Sequence, residues 1–316
     1  LQKERIKRQT INGQINKIVR EDARRELLFE QIRESIGRVT PPVFNDVAVN
    51  VGKREAILGL SDIHFGKAFE SANNKYNERI LHERMEKLMA ETLSIVKKES
   101  LDHLHVLNAG DSIEGIALRV SQQTALEYGM TDSVIKFSRF IVEWLNKLSK
   151  DVKLTYHHVR SANHTEIRPL GTKAGQFPNE DMEKIIHFYI HDMLEKNDRI
   201  IVPDYREPYV DFSVCGYDIL GAHGHTFKSG VENAIKGLTM QRRKFFSTLI
   251  VGHFHHGKEV TVNDGETSNV EVLQLPSIMG SDEFSDSLFT GAKAGAKLYI
   301  YEQLKGKTIG YDIILQ

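Results

Sequence analysis

Five short apolar runs in this chain each stop at an aspartate, an asparagine or a histidine, and that pattern restricts the fold more than any other feature. Residues 56–60 lead into Asp62 and His64, and 103–108 into Gly110 and Asp111. Residues 154–160 lead into Asn163 and His164, 217–222 into His223 and His225, and 248–252 into His253 and His255. A continuous apolar run of this length suits a strand buried on both faces. Side chains two apart on a strand face the same way, so Asp62 and His64 can reach one point. In an open sheet the C-terminal ends of the strands share an edge, and ligands gather there. One such ending is compatible with a strand cap and a chance histidine; five are hard to attribute to stability. Carboxylate, amide and imidazole aimed at one edge suit a divalent cation better than a core.

The elements between these endings set the fold class. Helical spacing of Leu81, Met85, Leu88, Thr92 and Ile95 predicts a helix over 78–98. Further helices are expected over 132–148, with Thr131 as a plausible cap, and over 181–195. Strands over 55–61, 103–108 and 154–160 alternate with them, which favours parallel connections. Beyond residue 210 the rhythm changes. A hairpin is expected from 210–214 and 217–222, a basic helix over 231–246, a strand over 248–252, and strands over 259–262, 270–275, 297–301 and 309–314. The expectation is an α/β protein of two packed mixed sheets flanked by helices, a four-layer α/β/β/α sandwich with an N-terminal helical extension.

That extension is residues 1–42, ahead of a catalytic domain at 43–316. Ile11, Ile15, Ile18, Leu28, Ile32 and Ile36 recur at helical spacing, and Thr40-Pro41-Pro42 marks the boundary. Ten basic against six acidic residues over 1–38 make this arm about +4, whereas the whole chain carries −1. It can pack on its own domain or on a second copy as a homodimer, or contact nucleic acid. The near-neutral whole has no global pull toward nucleic acid or membrane, so such affinity must be local. A single cysteine, Cys215, excludes an internal disulfide and fits a reducing, cytoplasmic setting. No apolar run approaches the roughly 18 residues of a membrane span, so no membrane partner is expected. No leader peptide is recognisable, though a chain beginning at Leu1 leaves its natural start open.

The order Asp-x-His, Gly-Asp, Asn-His, His, Gly-His-x-His over about 56–256 resembles the calcineurin-like metallophosphoesterase superfamily, closest to its phage-type and DNA-repair exonuclease members. Two departures stand out. Ala162 replaces the usual glycine before Asn163, and Gly110-Asp111 is followed by Ser-Ile-Glu-Gly, where many relatives carry a different acid. The resemblance implies two divalent metal ions, manganese first, with iron or zinc as alternatives. It puts Asp62, His64 and His255 on one ion, Asn163, His223 and His253 on the other, and Asp111 between them. It also makes His164 the residue that donates to the phosphate or protonates the leaving oxygen. His225 is left between a supporting and a substrate-binding role. His256 is expected to be solvated or strand-lining, and His103, His105, His157 and His158 to be ordinary sheet residues.

The activity this implies is hydrolysis of a phosphoester by metal-activated water, with a DNA or RNA nuclease ahead of a phosphomonoesterase or small-molecule phosphodiesterase. A binding module that has lost turnover is the remote alternative. For a nucleic-acid substrate stand the basic arm, Arg168 and Lys173 in the loop at 168–173, and Arg242 and Arg243 beside Phe245 and Phe246. Basic groups would meet backbone phosphates, and a phenylalanine could stack on a base or anchor its helix. The stretch 274–295 is either a flexible loop over the metals or a long turn between strands.

Overall fold

In the computed structural model the described residues are 54–116, 123–168, 172–173, 175–205, 208–266, 268–282, 285 and 291–316, with scattered positions between 2 and 30. The chain divides into two compact units, Leu1–Thr40 and Pro41–Gln316. In the first, every described position is helical and exposed. Ile15, Ile18, Leu28, Ile32, Ile36 and the Thr40-Pro41-Pro42 boundary lie outside the described residues.

The second unit begins with β1 (Arg54–Leu60), the small hairpin β2 (Phe69–Glu70) and β3 (Lys75–Tyr76), and α1 (Glu78–Lys98). Then come β4 (His103–Asn108), α2 (Met130–Leu148), β5 (Lys153–His158), α3 (Met182–Leu194) and β6 (Ile200–Ile201). The second half holds β7 (Val210–Val214), β8 (Tyr217–Ala222), α4 (Val231–Arg242), β9 (Thr248–Val251), β10 (Lys258–Asp264), β11 (Asn269–Gln274), β12 (Gly295–Glu302) and β13 (Gly306–Ile314).

The strands form two mixed sheets. The first has the order β13-β12-β1-β4-β5-β6, with β1, β4, β5 and β6 parallel and β12 antiparallel to β1. The second has the order β10-β11-β9-β8-β7, with β8, β9 and β11 parallel. Between them lies a core of Ile57, Leu107, Val159, Phe212, Ile219, Ile250, Leu273 and Tyr299. Alternation along each strand sends the neighbouring residues outward, so Leu220, Leu249, Val251 and Val272 pack beneath Ile235 and Leu238 of α4. The other sheet carries α1 to α3 on its outer side, where Trp144 donates its indole N–H to the Met85 carbonyl at 2.9 Å and Glu183 bonds His158 at 2.7 Å. The architecture is the expected sandwich of two mixed sheets between helices.

Helix boundaries follow local chemistry. Asn77 caps α1, its Oδ1 accepting from the Ile80 N–H at 3.0 Å. Asp181 caps α3 in the same way. Two sequence expectations are corrected. The N-cap of α2 is Gly129, not Thr131, which lies inside the helix. The helix from Val231 ends at Arg242 rather than running to 246, because Arg243 turns left-handed as its C-cap. The chain is then free to bury Phe246 in the core, leaving Phe245 59% exposed.

Candidate metal centre

All five chemistry-bearing segments leave the C-terminal ends of parallel strands, three from the first sheet and two from the second. Five of the metal-friendly residues adopt left-handed backbone: Asp62 (φ 52°), His64 (φ 50°), Asp111 (φ 52°), His253 (φ 71°) and His255 (φ 60°). Such conformations cost on the order of 1–3 kcal/mol each in non-glycine residues and cluster at functional sites. Main-chain bonds stitch the turns together: the Asp62 N–H donates to the Gly110 carbonyl at 3.1 Å and the His64 N–H to the Asp111 carbonyl at 2.9 Å.

Two glycines in the motifs are there for space. Gly110 sits at φ 95°, and a Cβ on it would meet the His223 ring and Ala162 at 3.1 Å. A Cβ on Gly252 would come within 1.8 Å of Ser61 Oγ, so only glycine lets the second sheet approach Asp62 this closely.

The donor atoms fall into groups. Asp62, His64 and His255 form one, and Asp111, His223 and His253 a second; within each, donors lie within 4.8 Å of one another. His255 Nε2 is 3.2 Å from Asp62 Oδ1, and His223 Nε2 is 3.0 Å from Asp111 Oδ2 and 2.9 Å from Asn163 Oδ1. His164 anchors its own segment by donating its backbone N–H to Asp111 Oδ1 at 2.9 Å. All eight residues, His164 and the seven expected ligands, are therefore brought together.

Among the expected ligands, three buried atoms lack a well-aligned hydrogen-bond partner: His64 Nε2, and Asp62 Oδ1 and Asp111 Oδ2, which have only the nearby rings of His255 and His223 beside them. Buried polar atoms are rarely left unpaired, since each costs roughly 1–3 kcal/mol. These three are the electron pairs a cation would take, so the residues present fit a divalent metal pair. The other ring nitrogens are already engaged. His64 Nδ1 bonds Glu114 at 2.6 Å, and His223 Nδ1 donates to the Ala109 carbonyl at 2.9 Å, which fixes the ring orientations.

The electrostatics agree. Burial opposes charge on His223, yet Asp111 overcomes it and pushes the imidazole up to about 9. Burial likewise opposes charge on His255 and His164, and facing carboxylates raise both. Asp62 and Asp111 are held well below the ordinary carboxylate range against the cost of burial, mainly by His255 and by His223 respectively. His225 and His253 are pushed down to about 4 by burial and by His223. Three buried carboxylates, Asp62, Asp111 and Glu114, thus draw protons onto neighbouring imidazoles, the positions where metal and proton compete.

Several contributors were not legible as site residues. Glu114 holds both His64 Nδ1 and, at 3.1 Å, His164 Nδ1; the sequence marked it only as the differing acid in Ser-Ile-Glu-Gly after Asp111, with no role assigned. Ser61 donates to Asp62 Oδ2 at 2.5 Å. Lys67 spans to Asp282 at 2.8 Å and lies 3.6 Å from Glu114. Beneath the Asp111 turn, Glu183 accepts from the Ser112 N–H and hydroxyl, both at 2.8 Å, and bonds His158. His158 is therefore a support of this turn rather than an ordinary sheet residue. The described part of the 274–295 stretch is a packed connection between β11 and β12 rather than a loose lid. Ser277 and Met279 bond the Asp62 carbonyl, and Ser277, Ile278 and Met279 are buried. Of that stretch, 283–284 and 286–290 lie outside the described residues.

The expected substrate groups divide. Arg168 donates to the Asn163 carbonyl at 2.9 Å and to Glu166 at 2.8 Å, beside the centre. His225 stands 5.3 Å ring to ring from His223, with a buried Nδ1 lacking a hydrogen-bond partner. Lys173 is exposed in the loop beyond Arg168. Arg242 and Arg243 are not brought to the centre. They end α4, which leads to the start of β9, whereas His253 follows its end; Arg242 instead stacks 5.5 Å over Tyr209. His256 is half-buried and bonds the Phe254 carbonyl at 2.7 Å.

Comparison with known proteins places the chain further. Residues 1–39 match the family described as the YonJ coiled-coil domain. Solved structures similar to this chain include a metallophosphoesterase from Sphaerobacter thermophilus, 12% identical over 82% of this chain and 88% of that one, with a TM-score of 0.33. Another is a 5'-nucleotidase precursor from Thermus thermophilus, 12% identical over 83% and 54%, with a TM-score of 0.38. Likenesses so distant say nothing about chemistry, which rests on the side chains above. The SPbeta prophage-derived uncharacterized protein YonJ of Bacillus subtilis (strain 168) is 51% identical over 318 residues, spanning 100% of this chain and 78% of that protein. At that identity and coverage, this chain belongs to the YonJ family.

Proposed function

We propose that the protein is a metal-dependent phosphoester hydrolase that cleaves phosphodiesters, with DNA or RNA as the substrate class. The observation that carries this reading is the convergence of Asp62 Oδ1, His64 Nε2 and Asp111 Oδ2, buried and without well-aligned hydrogen-bond partners, from separate strand ends.

Asp62, His64 and His255 would hold one cation, Asn163, His223 and His253 the other, and Asp111 would serve both. Imidazole with carboxylate and amide oxygen suits manganese, iron or zinc, and no thiolate belongs to the cluster. When bound, such a pair neutralises phosphoryl charge and acidifies water toward a pKa of ~7.

The chain's own residues do the rest. His164 is held through Nδ1 by Glu114, which leaves Nε2 to carry a proton 4.0 Å from Asp111 Oδ2. Burial disfavours that proton, but Asp111 and Glu114 raise the imidazole's pKa, so His164 is suited to protonating a departing oxygen. His225, kept neutral by burial, offers a neutral nitrogen beside the centre. The guanidinium of Arg168, fixed by the Asn163 carbonyl and Glu166, supplies positive charge where a phosphate would lie. Asp62 and Asp111 are weak bases, because neighbouring imidazoles hold both carboxyls well below the usual range and so lower their affinity for a proton.

Nucleic acid is favoured as substrate by Arg168 at the centre with Lys173 exposed next in the loop, and by the basic balance of residues 1–38. The arm is also proposed as the route to a homodimer. The test is the purified protein with Mn²⁺ against single- and double-stranded DNA, RNA and a nitrophenyl phosphodiester in parallel. Cleavage of a polynucleotide that weakens steeply with salt is expected. Turnover of the nitrophenyl ester alone, indifferent to salt, would move the substrate to a small phosphoester. No hydrolysis of any of them would reject the reading.

A further inference from the structure

A second histidine–carboxylate cluster lies at the opposite end of the space between the sheets. Glu55 is the second residue of β1 and His103 opens β4, so both stand near the N-terminal ends of strands whose C-terminal ends lead to Asp62 and Asp111. Five or more strand residues separate the two clusters, about 16 Å or more at ~3.3 Å per residue. His105 lies on the same inter-sheet face as His103, two residues on.

Glu55 Oε1 is 3.2 Å from His103 Nδ1 and 4.0 Å from His105 Nε2, and the three donors lie within 4.8 Å of one another. Donors at about 2.0–2.1 Å around a tetrahedral zinc stand roughly 3.3 Å apart, so a small contraction would complete such a site.

The other ring nitrogens are committed in the way ligand histidines require. His103 Nε2 is 2.9 Å from Thr155 Oγ1. His105 Nδ1 is 2.9 Å from His157 Nε2, and His157 Nδ1 is 2.6 Å from the Tyr205 hydroxyl. If each histidine donates from Nδ1 along that ladder, His105 Nε2 keeps its lone pair and faces Glu55. Phe212 stacks on both rings, 5.4 Å from His105 and 3.8 Å from His157, and holds the ladder flat.

His105 is more than nine-tenths buried, and its Nε2 has no hydrogen-bond partner. Either protonation of that atom is costly without an ion. A lone pair facing a carboxylate is repelled by it, and an N–H at 4.0 Å is too far to donate. A cation between them removes both costs.

We propose that Glu55, His103 and His105 form a separate binding site for Zn²⁺ or a similar borderline divalent ion, structural in role. Glu55 and His103 are each only partly buried, which leaves solvent a route to a further coordination position. The other carboxylate oxygen of Glu55 accepts the Cys215 N–H at 2.6 Å from the β7–β8 turn. An ion on Glu55 would therefore tie the start of the first sheet to the hairpin of the second. His157 and His105 are thereby more than the ordinary sheet residues the sequence suggested.

The test uses the full chain stripped of metal and then saturated with Zn²⁺ alone. An anomalous peak about 2.0–2.2 Å from Glu55, His103 Nδ1 and His105 Nε2 is expected in zinc-soaked crystals. Glu55→Gln, which keeps an acceptor for the Cys215 N–H, and His103→Gln should each retain about one equivalent less zinc than the unaltered chain. Absence of that peak in zinc-saturated crystals overturns the site, as does equal zinc content in the unaltered chain and a folded variant. The peak is read on the unaltered chain, so a variant that failed to fold would leave the outcome decidable.

Discussion

The two ends of the inter-sheet space hold similar chemistry in different backbone. At the C-terminal end, the carboxylates and imidazoles sit on turns, five of them left-handed, and come from both sheets. At the N-terminal end, Glu55, His103 and His105 sit on regular strands of one sheet, and the histidine rings continue as a ladder to His157 further along β5, ordered by strand pairing. The contrast shows what each backbone is good for. Strand geometry fixes a spacing and delivers one row of groups. Turns released from that spacing let side chains from several strands converge on a point, at the cost of strain that the surrounding bonds must hold.

The strongest way to break this contrast is Asp111→Asn. It removes a buried negative charge from the converged cluster, and loss of at least one metal with a fall in hydrolysis of roughly 10³-fold or more is expected. Elemental analysis showing both metals retained would mean that Asp111 does not serve both ions. Next in size is His164→Ala, for which turnover should fall about 10²–10³-fold with metal content intact. Loss of metal as well would reassign His164 as a ligand.

Glu114→Gln sharpens the comparison, because Glu114 orients rings at the turn end as Tyr205 and Thr155 do at the strand end. A loss of about 10–100-fold in metal affinity or activity is expected. Unchanged metal titration and kinetics would leave Glu114 a bystander.

The smallest effect belongs to the strand end and is read as stability against pH in chelator. Burial and the neighbouring His103 push His105 down to about 3, against about 6.5 for an exposed imidazole. The folded chain therefore holds His105 neutral while the unfolded chain takes up a proton. The stability this provides is whole above about pH 6.5 and is lost as pH falls toward 3. By pH 5.5 the loss should be about 1 kcal/mol, and His105→Phe should flatten that part of the melting curve. A variant with the same acid slope as the unaltered chain would show that His105 titrates normally.

Much of this was visible in the order of residues. The bounds of α1 follow from its apolar spacing and match at 78–98, and β4, β7 and β8 match as well. Periodicity is local, so it survives without knowledge of the fold. Its limits are equally physical. Left-handed capping at Arg243 stopped α4 short of Phe246, because burying that phenylalanine outweighed extending the helix. A glycine with extended backbone rather than Thr131 begins α2.

The sequence alone determined the alternation of strand and helix, the change to a strand-rich second half, and the aspartates, asparagine and histidines at the strand ends. Those features are written in spacing and residue type, which any chain with this order carries. Only the tertiary structure decided that Glu114 grips both His64 and His164, that Arg242 and Arg243 lie away from the centre, and that Glu55 meets His105. Each of these joins or separates residues by sheet order and strand direction, and packing sets those through contacts between segments distant along the chain.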